Sequence, residues 1–453
     1  MSTKQITMRR RVPVRRLLLL TCILAVAVGF PAITAFGQPW TQQTSGTAWH
    51  LWSLKVVDSK VVWASGGAGT VLRTVDGGTT WQVRTATDLI YDNYSIEALD
   101  SITAWVYGSW FGAGAKIWKT ANGGTSWTEQ YSDAQGFGDG IRFFDANNGI
   151  ALGDPLPSNP SRFVILTTTN GGTTWSPIAN SPPADSVQGE ASVPNALDLN
   201  GSTAWFLTYS PNTLLATRPR VFKSTDKGLT WAGSPRIGLR NSSGFSMGDE
   251  NRGIMSRATP GGISRTFDGW ATADSTRPLS GSGLTAVDWI PGTNSLVIVG
   301  SAFSGVSLDG GVTWAVRNVP AGVGTLNAVH FIDPGTGFAV GYNGTILKWT
   351  DPPLVVAVRD DPGSTPGSFL LSQNYPNPFN PSTTIRFELP KASNVRLSVF
   401  DMLGREVSVL MNERRDAGVH EVKFDGPNLA SGVYFYRLTA DNFVQSRKLL
   451  LMK

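Results

Sequence analysis

The chain has 453 residues, more than a typical single domain, so we expect two folded parts and a targeting segment. It contains 50 glycines and 16 tryptophans, and its short apolar runs alternate with Gly, Asn, Asp and Pro, a composition typical of all-β proteins. The formal net charge is +5, but residues 1–37 hold six basic and no acidic groups, so the remaining chain carries −1. The charge therefore gives no support for a nucleic-acid partner, and we expect none.

The N-terminus has the pattern of a secretory signal peptide. Six basic residues lie between Lys4 and Arg16, an apolar run covers residues 17–30, and Ala35-Phe36-Gly37 offers a small-x-small cleavage site. The run is too short for a membrane span, so we predict that residues 1–37 are removed and that the mature chain has no transmembrane segment. The arginine pairs also permit a twin-arginine route, and Cys22 fits a lipoprotein site poorly. Cys22 is the sole cysteine, so the mature chain has no disulfide and no cysteine metal site.

An eight-residue pattern occurs five times in the part that follows. It reads Ser/Thr, any residue, Asp/Asn, any residue, Gly, any residue, Ser/Thr, Trp, and a shorter sixth copy covers residues 266–270. Asp or Asn accepts hydrogen bonds from the backbone that follows it, and Gly supplies a positive φ, so each copy predicts a tight hairpin across which the Trp packs. The structural residues of the five copies are Asp76 and Trp81, Asn122 and Trp127, Asn170 and Trp175, Asp226 and Trp231, and Asp309 and Trp314.

These hairpins close longer repeats, each with four short predicted strands. Seven repeats of roughly 35 to 50 residues predict a seven-bladed β-propeller over residues 38–351. The seventh repeat lacks a final Trp-led strand. Because Trp40-Thr-Gln-Gln43 resembles the strand Trp127-Thr-Glu-Gln130, we expect the N-terminal strand to complete this blade and close the ring.

The repeated hairpin resembles the Asp-box, or BNR, repeat of sialidases and related β-propellers. The predicted ring is also similar to photosystem II stability/assembly factor-like propellers. This resemblance implies a structural role for the hairpin and nothing about catalysis. Sialidases add an arginine triad and an early Arg-Ile-Pro, whereas the nearby string here, Arg236-Ile-Gly238, lies far too late in the chain.

The last part of the chain has a different character. Residues 352–372 form a polar Pro/Gly-rich linker, and residues 373–453 contain six or seven short alternating strands, which predict a small Ig-like β-sandwich. Four motifs occur in order: Tyr375-Pro-Asn-Pro-Phe379, Phe400-Asp-Met-Leu-Gly404, Leu429-Ala-Ser-Gly-Val-Tyr434 and Lys448-Leu-Leu-Leu-Met-Lys453. They resemble the type A sorting domain of the type IX secretion system. The resemblance implies the secretion machinery as a partner, passage through the periplasm, and release or display at the outer-membrane surface.

The sequence offers little evidence for an enzyme. His50, His330 and His420 have no partner at a metal-ligand spacing, and no P-loop, dinucleotide fingerprint or nucleophile elbow is present. We therefore expect no metal, no cofactor and no catalytic residue.

One face of the predicted propeller nevertheless carries candidate ligand-binding residues. Loops between second and third strands, and loops between blades, gather opposite the repeated hairpins and are longest in the second to fourth repeats. Their candidates are Tyr107, Trp110, Phe111, Asp154, Glu190, Tyr209, Arg218 and Arg220. Aromatic rings with carboxylates and arginines suit a glycan or a peptide. In the alternative interpretation the aromatics cover a blade and the acids cap turns.

The sequence therefore predicts a secreted or surface-attached, non-enzymatic propeller that binds an extracellular protein or glycan. The alternative is a glycoside hydrolase or lyase in which Asp154 and Glu190 supply the two carboxylates.

Overall fold

The computed structural model describes residues 39–85, 90–110, 113–210, 218–258, 261–276, 279, 283–351, 354, 369–371, 374, 379–426, 429–441 and 443–451. These residues form β-strands, together with one short 3₁₀ turn at Tyr342–Gly344. The all-β fold class is confirmed. The predicted signal peptide and most of the predicted linker lie outside the described residues.

Within the described part of residues 40–349, the strands form seven four-stranded antiparallel sheets. The N-terminal strand β1 is Trp40–Gln43. Sheet 1 contains β2 (Leu51–Val56), β3 (Val62–Gly66), β4 (Val71–Thr74) and β5 (Gln82–Val83). Sheet 2 contains β6 (Asp92–Ala98), β7 (Ala104–Trp110), β8 (Gly114–Thr120) and β9 (Thr128–Asp133). Sheet 3 contains β10 (Gly138–Phe143), β11 (Gly149–Gly153), β12 (Val164–Thr168) and β13 (Ser176–Pro177).

The remaining four sheets repeat this order. Sheet 4 contains β14 (Ala191–Asn200), β15 (Thr203–Tyr209), β16 (Val221–Ser224) and β17 (Ala232–Gly233). Sheet 5 contains β18 (Ser242–Met247), β19 (Gly253–Arg257), β20 (Gly262–Thr266) and β21 (Asp274–Thr276). Sheet 6 contains β22 (Leu284–Trp289), β23 (Leu296–Gly300), β24 (Phe303–Ser307) and β25 (Ala315–Arg317). Sheet 7 contains β26 (Leu326–Asp333), β27 (Thr336–Gly341) and β28 (Ile346–Trp349), with β1 as its fourth strand.

The first strands of the seven sheets lie innermost and form a closed ring. Each first strand contacts the first strand of the next sheet, and β26 of sheet 7 contacts β2 of sheet 1. The second, third and fourth strands follow outwards in each sheet. The first strands therefore line a central channel, as in a β-propeller.

The N-terminal strand completes sheet 7, as the sequence predicted. Trp40 pairs with Trp349 and Gln43 pairs with Ile346 in an antiparallel register. The Trp40 side chain is 1% exposed and lies edge-on to Trp349 and Phe331, with ring centroids 5.0 and 6.0 Å away. Its indole N–H donates to Ser304 Oγ of sheet 6 over 2.9 Å. One short strand thus joins both ends of the ring and the neighbouring sheet.

The repeated hairpin is held by hydrogen bonds within the turn. In the first copy, Thr74 Oγ1 donates to Asp76 Oδ1 over 2.8 Å and accepts the Gly78 N–H over 2.9 Å. Thr80 donates its backbone N–H at 2.9 Å and its hydroxyl at 2.6 Å to the Asp76 carboxylate. Hydrogen bonds, foremost the Thr80 hydroxyl, lower the pKa of Asp76 to about 2. The same bonds recur in the later copies.

Two tryptophans of these hairpins, Trp81 and Trp127, pack against the preceding sheet. Trp81 of sheet 1 lies edge-on to Phe338 of sheet 7, and Trp127 of sheet 2 lies edge-on to Trp63 of sheet 1, at 6.2 and 6.3 Å. The turn reaches the preceding sheet because a cation there holds it: Lys348 Nζ donates to Gly77 O over 2.8 Å. For these copies the hairpin joins neighbouring sheets, and the Trp contacts the preceding sheet.

The C-terminal residues form two sheets around a separate core. One sheet pairs β29 (Leu370–Leu371), β30 (Ser382–Leu389) and β33 (Gly418–Asp425). The other has the order β32 (Glu406–Arg415), β31 (Ser393–Phe400), β34 (Gly432–Ala440) and β35 (Phe443–Leu451). Buried side chains of both sheets form one cluster that contains no residue of sheets 1 to 7. This arrangement agrees with the predicted sandwich.

Candidate ligand-binding site at the channel mouth

Each of the seven first strands has a register irregularity near its start, at the end of the channel opposite the repeated hairpins. A β-bulge leaves an extra residue unpaired and redirects its side chain. The extra residues, one position in each sheet, are Trp52, Tyr94, Asp139, the segment 193–196, Ser243, Thr285 and Asn327. They surround the mouth of the channel.

In sheets 5 to 7 the extra residue is polar and links its sheet to the next one. Ser243 Oγ donates to the Leu284 carbonyl over 3.1 Å, and Asn327 Nδ2 donates to the Leu51 carbonyl over 2.8 Å. Thr285 Oγ1 donates likewise to the Leu326 carbonyl. These side chains have a structural role because each satisfies a carbonyl of the neighbouring strand.

Sheets 1 and 2 carry aromatic residues at the same position. Trp52 is half-buried and its ring centroid lies 5.9 Å from that of Tyr94. Tyr342 lies 6.0 Å from Trp52 and is 38% exposed, and it stacks on His50 at 4.2 Å. The adjacent Trp49 is 58% exposed. The mouth thus has an aromatic wall on the side of sheets 1, 2 and 7.

Sheet 4 has a longer insertion, which crosses the mouth. The register jumps from Ser192 to Leu197, and Asn195 has a positive φ of 60°. Asn195 Nδ2 donates to the Trp52 carbonyl of sheet 1 over 3.0 Å. Pro194 and Asn195 also line the channel cavity below. The segment 193–196 therefore separates the aromatic wall from the channel interior.

The extra residue of sheet 3 is Asp139, which sequence reasoning missed. It is 1% exposed, and it accepts a hydrogen bond from Ser192 Oγ over 2.5 Å. Asp154 accepts from the same hydroxyl over 3.1 Å and from the Ser192 N–H over 2.8 Å. The two carboxyl groups thus face one hydroxyl, and the second oxygen of Asp139, Oδ1, is buried without a hydrogen-bond partner in the described part of the chain. Burial, then the charge of Asp154, raises the pKa of Asp139 well above its ordinary value, and burial also raises the pKa of Asp154.

Glu190, predicted to accompany Asp154, is instead an ion-pair partner. Its side chain is buried, and its carboxylate accepts from Arg220 Nε over 2.9 Å and from Thr208 Oγ1 over 2.7 Å. Arg236 lies 3.6 Å away. Burial alone would raise the pKa of Glu190, but the hydrogen bonds from Arg220 and Thr208 outweigh it and lower the pKa. Asp154 accepts hydrogen bonds from Ser192, which also donates to Asp139, whereas Glu190 accepts from Arg220. The two predicted carboxylates therefore have different partners.

The other predicted residues lie in varied surroundings. Tyr107 is 1% exposed and packs beneath Gly138, so its side chain is not available at the surface, contrary to the expectation. Trp110 is 47% exposed, Tyr209 is half-buried and Arg218 is exposed. Phe111 lies outside the described residues.

A second ring of side chains lies deeper, at one register position of every first strand. It consists of Lys55, Glu97, Arg142, Asp198, Ser246, Asp288 and His330, all of which line the channel. In sheets 4 to 7 each accepts a backbone N–H from the next sheet, at 2.6 to 3.0 Å. In sheets 1 to 3, by contrast, Glu97 pairs with Lys55 at 2.7 Å and with Arg142 at 3.8 Å. In the first ring, sheets 1 and 2 carry aromatic residues in place of a linking side chain, and in the second ring, sheets 1 to 3 have ion pairs in place of the backbone hydrogen bond.

The described residues contain no group of three or more His, Cys, Asp or Glu arranged to hold a metal ion. Among the same residues, no helix is long and apolar enough to cross a membrane.

Solved structures similar to this chain are β-propellers. A structure described as YCF48 bound to D1 peptide has a TM-score of 0.54 and 20% identity, and the match covers 69% of this chain and 97% of that one. YCF48 from Cyanidioschyzon merolae matches with the same TM-score and identity over 69% and 98% of the two chains. The GH74 xyloglucanase from Xanthomonas campestris has a TM-score of 0.53 and 13% identity, over 77% of this chain and 59% of the enzyme. At these identities the likeness concerns the fold alone.

The C-terminal residues have a more specific match. Residues 373–452 match the family model of the secretion system C-terminal sorting domain. A comparison with curated proteins gives no match. The chain is therefore a β-propeller with a C-terminal type IX sorting domain, and this domain indicates export to the cell surface or secretion.

Proposed function

We propose that this chain is a non-enzymatic binding protein that holds an extracellular protein or glycan at the channel mouth, against the aromatic wall formed by sheets 1, 2 and 7. The observation that carries the proposal is a comparison within the molecule. At one bulge position, sheets 5 to 7 use small polar side chains to link neighbouring sheets, whereas sheets 1 and 2 place Trp52 and Tyr94 there. Ring closure does not require an aromatic residue at this position.

The chemistry of the wall suits a ligand with apolar faces and polar edges. Trp49 and Tyr342 add exposed aromatic surface beside Trp52, and aromatic residues of this kind contribute large contact areas with a polar group at one end. The known complex of YCF48 with a peptide gives a precedent for a ligand on a propeller of similar fold.

The alternative, a glycoside hydrolase, draws support from the fold likeness to a xyloglucanase. The predicted carboxylate pair fits it poorly. Glycoside hydrolases separate their two carboxyl groups by about 5 to about 9.5 Å around the scissile bond. Here Asp154 accepts from Ser192, which also donates to Asp139, and Glu190 is occupied by Arg220 and Thr208. These contacts favour binding without hydrolysis.

A glycan array and an array of surface-protein peptides, probed with the full chain, test the proposal. Every ligand found should bind Trp52→Ala and Tyr94→Ala at least about tenfold more weakly, because stacking area is lost. Phe267→Ala is the matched control, since it removes an exposed aromatic residue from a repeated hairpin at the opposite end of the channel, and should bind normally. Equal loss in all three variants, or in none, would refute the assignment of the site.

A polysaccharide digest assayed for reducing ends separates the two functions. We expect no release of reducing ends by the parent chain. Release that Asp154→Asn or Glu190→Gln abolishes would overturn the non-enzymatic proposal in favour of the hydrolase.

A further inference from the structure

We propose that Asp139, Asp154 and Ser192 form a proton-dependent latch that holds the segment 193–196 across the channel mouth. The latch regulates the proposed binding site and in that sense rests on the proposed function. Its own evidence is independent of any ligand, because it consists of two carboxyl groups, one hydroxyl and the backbone segment that follows that hydroxyl.

The geometry requires a shared proton. One hydroxyl, Ser192 Oγ, lies 2.5 Å from an oxygen of Asp139 and 3.1 Å from an oxygen of Asp154. A hydroxyl donates one hydrogen, so it cannot neutralise two carboxylates. With Asp139 only 1% exposed and its Oδ1 buried without a hydrogen-bond partner in the described part of the chain, two adjacent negative charges would lack water, so the pair shares one proton.

Among the described residues, none that faces the pair supplies a countercharge. The groups that face the pair are Tyr94 of β6, Tyr107 of β7 and Tyr209 of β15. Burial raises the pKa of Tyr94 and of Tyr209 to about 12 and raises that of Tyr107 well above its ordinary value, so all three hydroxyls are neutral at neutral pH. No cation is among the groups that shift the pKa of Asp139 or Asp154. Asp92, near Tyr94, adds another negative charge.

The pair is connected directly to the segment that crosses the mouth. Ser192 donates both its N–H and its hydroxyl to the carboxyl groups and immediately precedes residue 193. At the far end of the segment, Asn195 Nδ2 holds the Trp52 carbonyl, while its Oδ1 is buried without a hydrogen-bond partner in the described part of the chain.

Loss of the shared proton leaves two carboxylates in contact, and their repulsion separates Asp139 from Asp154. Ser192 then loses one of its acceptors, and the segment moves from the mouth. This opens a route from the aromatic wall to the channel interior, where Lys55 and Arg142 flank Glu97.

Site-specific thiol labelling tests the latch without a ligand. Cys22 is the sole cysteine, so a Cys22→Ser chain is a clean background. Pro194→Cys reports on the segment, and Thr79→Cys, on an exposed turn remote from the mouth, is the reference for the ordinary pH dependence of a thiol. The labelling rate at 194 relative to 79 should rise about tenfold or more as the pH is raised, over the range in which the chain stays folded, because the pair loses its proton.

Asp139→Asn supplies the decisive control, because an amide has the shape of the protonated acid and carries no charge. In this variant the relative rate should stay low at every pH. Asp154→Asn, at a less buried position, is the second variant and should behave in the same way. A relative labelling rate that does not change with pH in the parent chain overturns the latch. A rise in both Asn variants that equals the rise in the parent chain also overturns it. Neither outcome depends on whether the aromatic wall binds a ligand.

Discussion

Aspartates in this fold have opposite electrostatic roles according to their surroundings. Asp76 lies in an exposed turn where hydroxyl and amide donors stabilise its charged form and lower its pKa to about 2. Asp288 lines the channel, where burial raises its pKa to about 8 although the Phe331 N–H donates to it. The same side chain therefore stabilises the turn as an anion and links two sheets mainly as a neutral acid.

We predict that Asp288→Asn makes the chain less sensitive to alkaline pH. A folded-state pKa raised from 3.8 to about 8 means that stability falls as the pH rises through this interval, because the unfolded state releases the proton first. Asn is neutral throughout and keeps an oxygen for the Phe331 N–H. The melting temperature of the variant minus that of the parent should increase from about pH 4 to about pH 8 and then level off. A difference that stays constant over this range would contradict the assignment.

For the repeated turn, we predict that Asp76→Ala lowers the melting temperature and Asp76→Asn largely preserves it. Alanine removes the acceptor of the Thr74 and Thr80 bonds, whereas Asn122 makes the corresponding bonds in sheet 2. Thermal denaturation at neutral pH measures both. If the two variants melt alike, the side-chain acceptor does not stabilise the turn.

The sequence predicted these turn residues but not the channel-mouth residues. A turn depends on neighbours within eight positions, whereas Asp154 reaches Asp139 through a bulge and Ser192 of the next sheet. A weaker signal was present for the aromatic wall: Trp52 and Tyr94 each stand 11 residues before a second-strand tryptophan, Trp63 and Trp105. Aligning the repeats on that tryptophan would have revealed the shared position.

Strand β1 was predictable because its sequence resembles that of another fourth strand, and because the seventh repeat has no fourth strand of its own. The bulges were not predictable in this way. A bulge is a difference in register between two paired strands. The alternation of apolar and polar residues in one strand determines which face is buried, but it does not determine where an extra residue is inserted. The insertion at residues 193–196 of β14, where the register jumps from Ser192 to Leu197, is such a case.

We predict that deleting residues 38–46 destabilises the ring far more than trimming a loose terminus would. The deletion removes the pairing with β28, the contacts of Trp40 with Phe331 and Trp349, and the hydrogen bond to Ser304. It also exposes an unpaired strand edge, which promotes aggregation. Differential scanning calorimetry and light scattering measure the two effects.

Trp40→Ala isolates the packing contribution and should cost about 3 to 5 kcal/mol. Thr41→Ala, an exposed position on the same strand, is its control and should change little. A deletion that melts like the parent chain would show that β1 does not hold the ring.

The chain combines two separate cores, one in sheets 1 to 7 and one in the C-terminal sandwich, with an export signal in the second. Strand periodicity and repeat length predicted both, because each core is built from local patterns that recur. The sequence did not predict the identity of the ligand, because fold does not determine function.

We predict that deleting residues 367–453 leaves the propeller folded but retains it in the periplasm of its native host. The propeller core contains no side chain from the sandwich, so its folding should persist, whereas the sorting domain matched at residues 373–452 is lost. Cell fractionation and surface proteolysis measure the location, with the full chain as control. Normal surface delivery of the truncated chain would contradict the role of the sorting domain.

We propose that ligands contact the channel mouth on the side of sheets 1, 2 and 7. Hydrogen–deuterium exchange of the full chain, with and without a ligand identified on the arrays, measures this contact most directly. We predict that bound ligand slows exchange at residues 49–54 and 91–96, around Trp52 and Tyr94, and leaves exchange unchanged in the repeated hairpin at residues 74–81. Slower exchange confined to the hairpins, with the channel mouth unchanged, would contradict it.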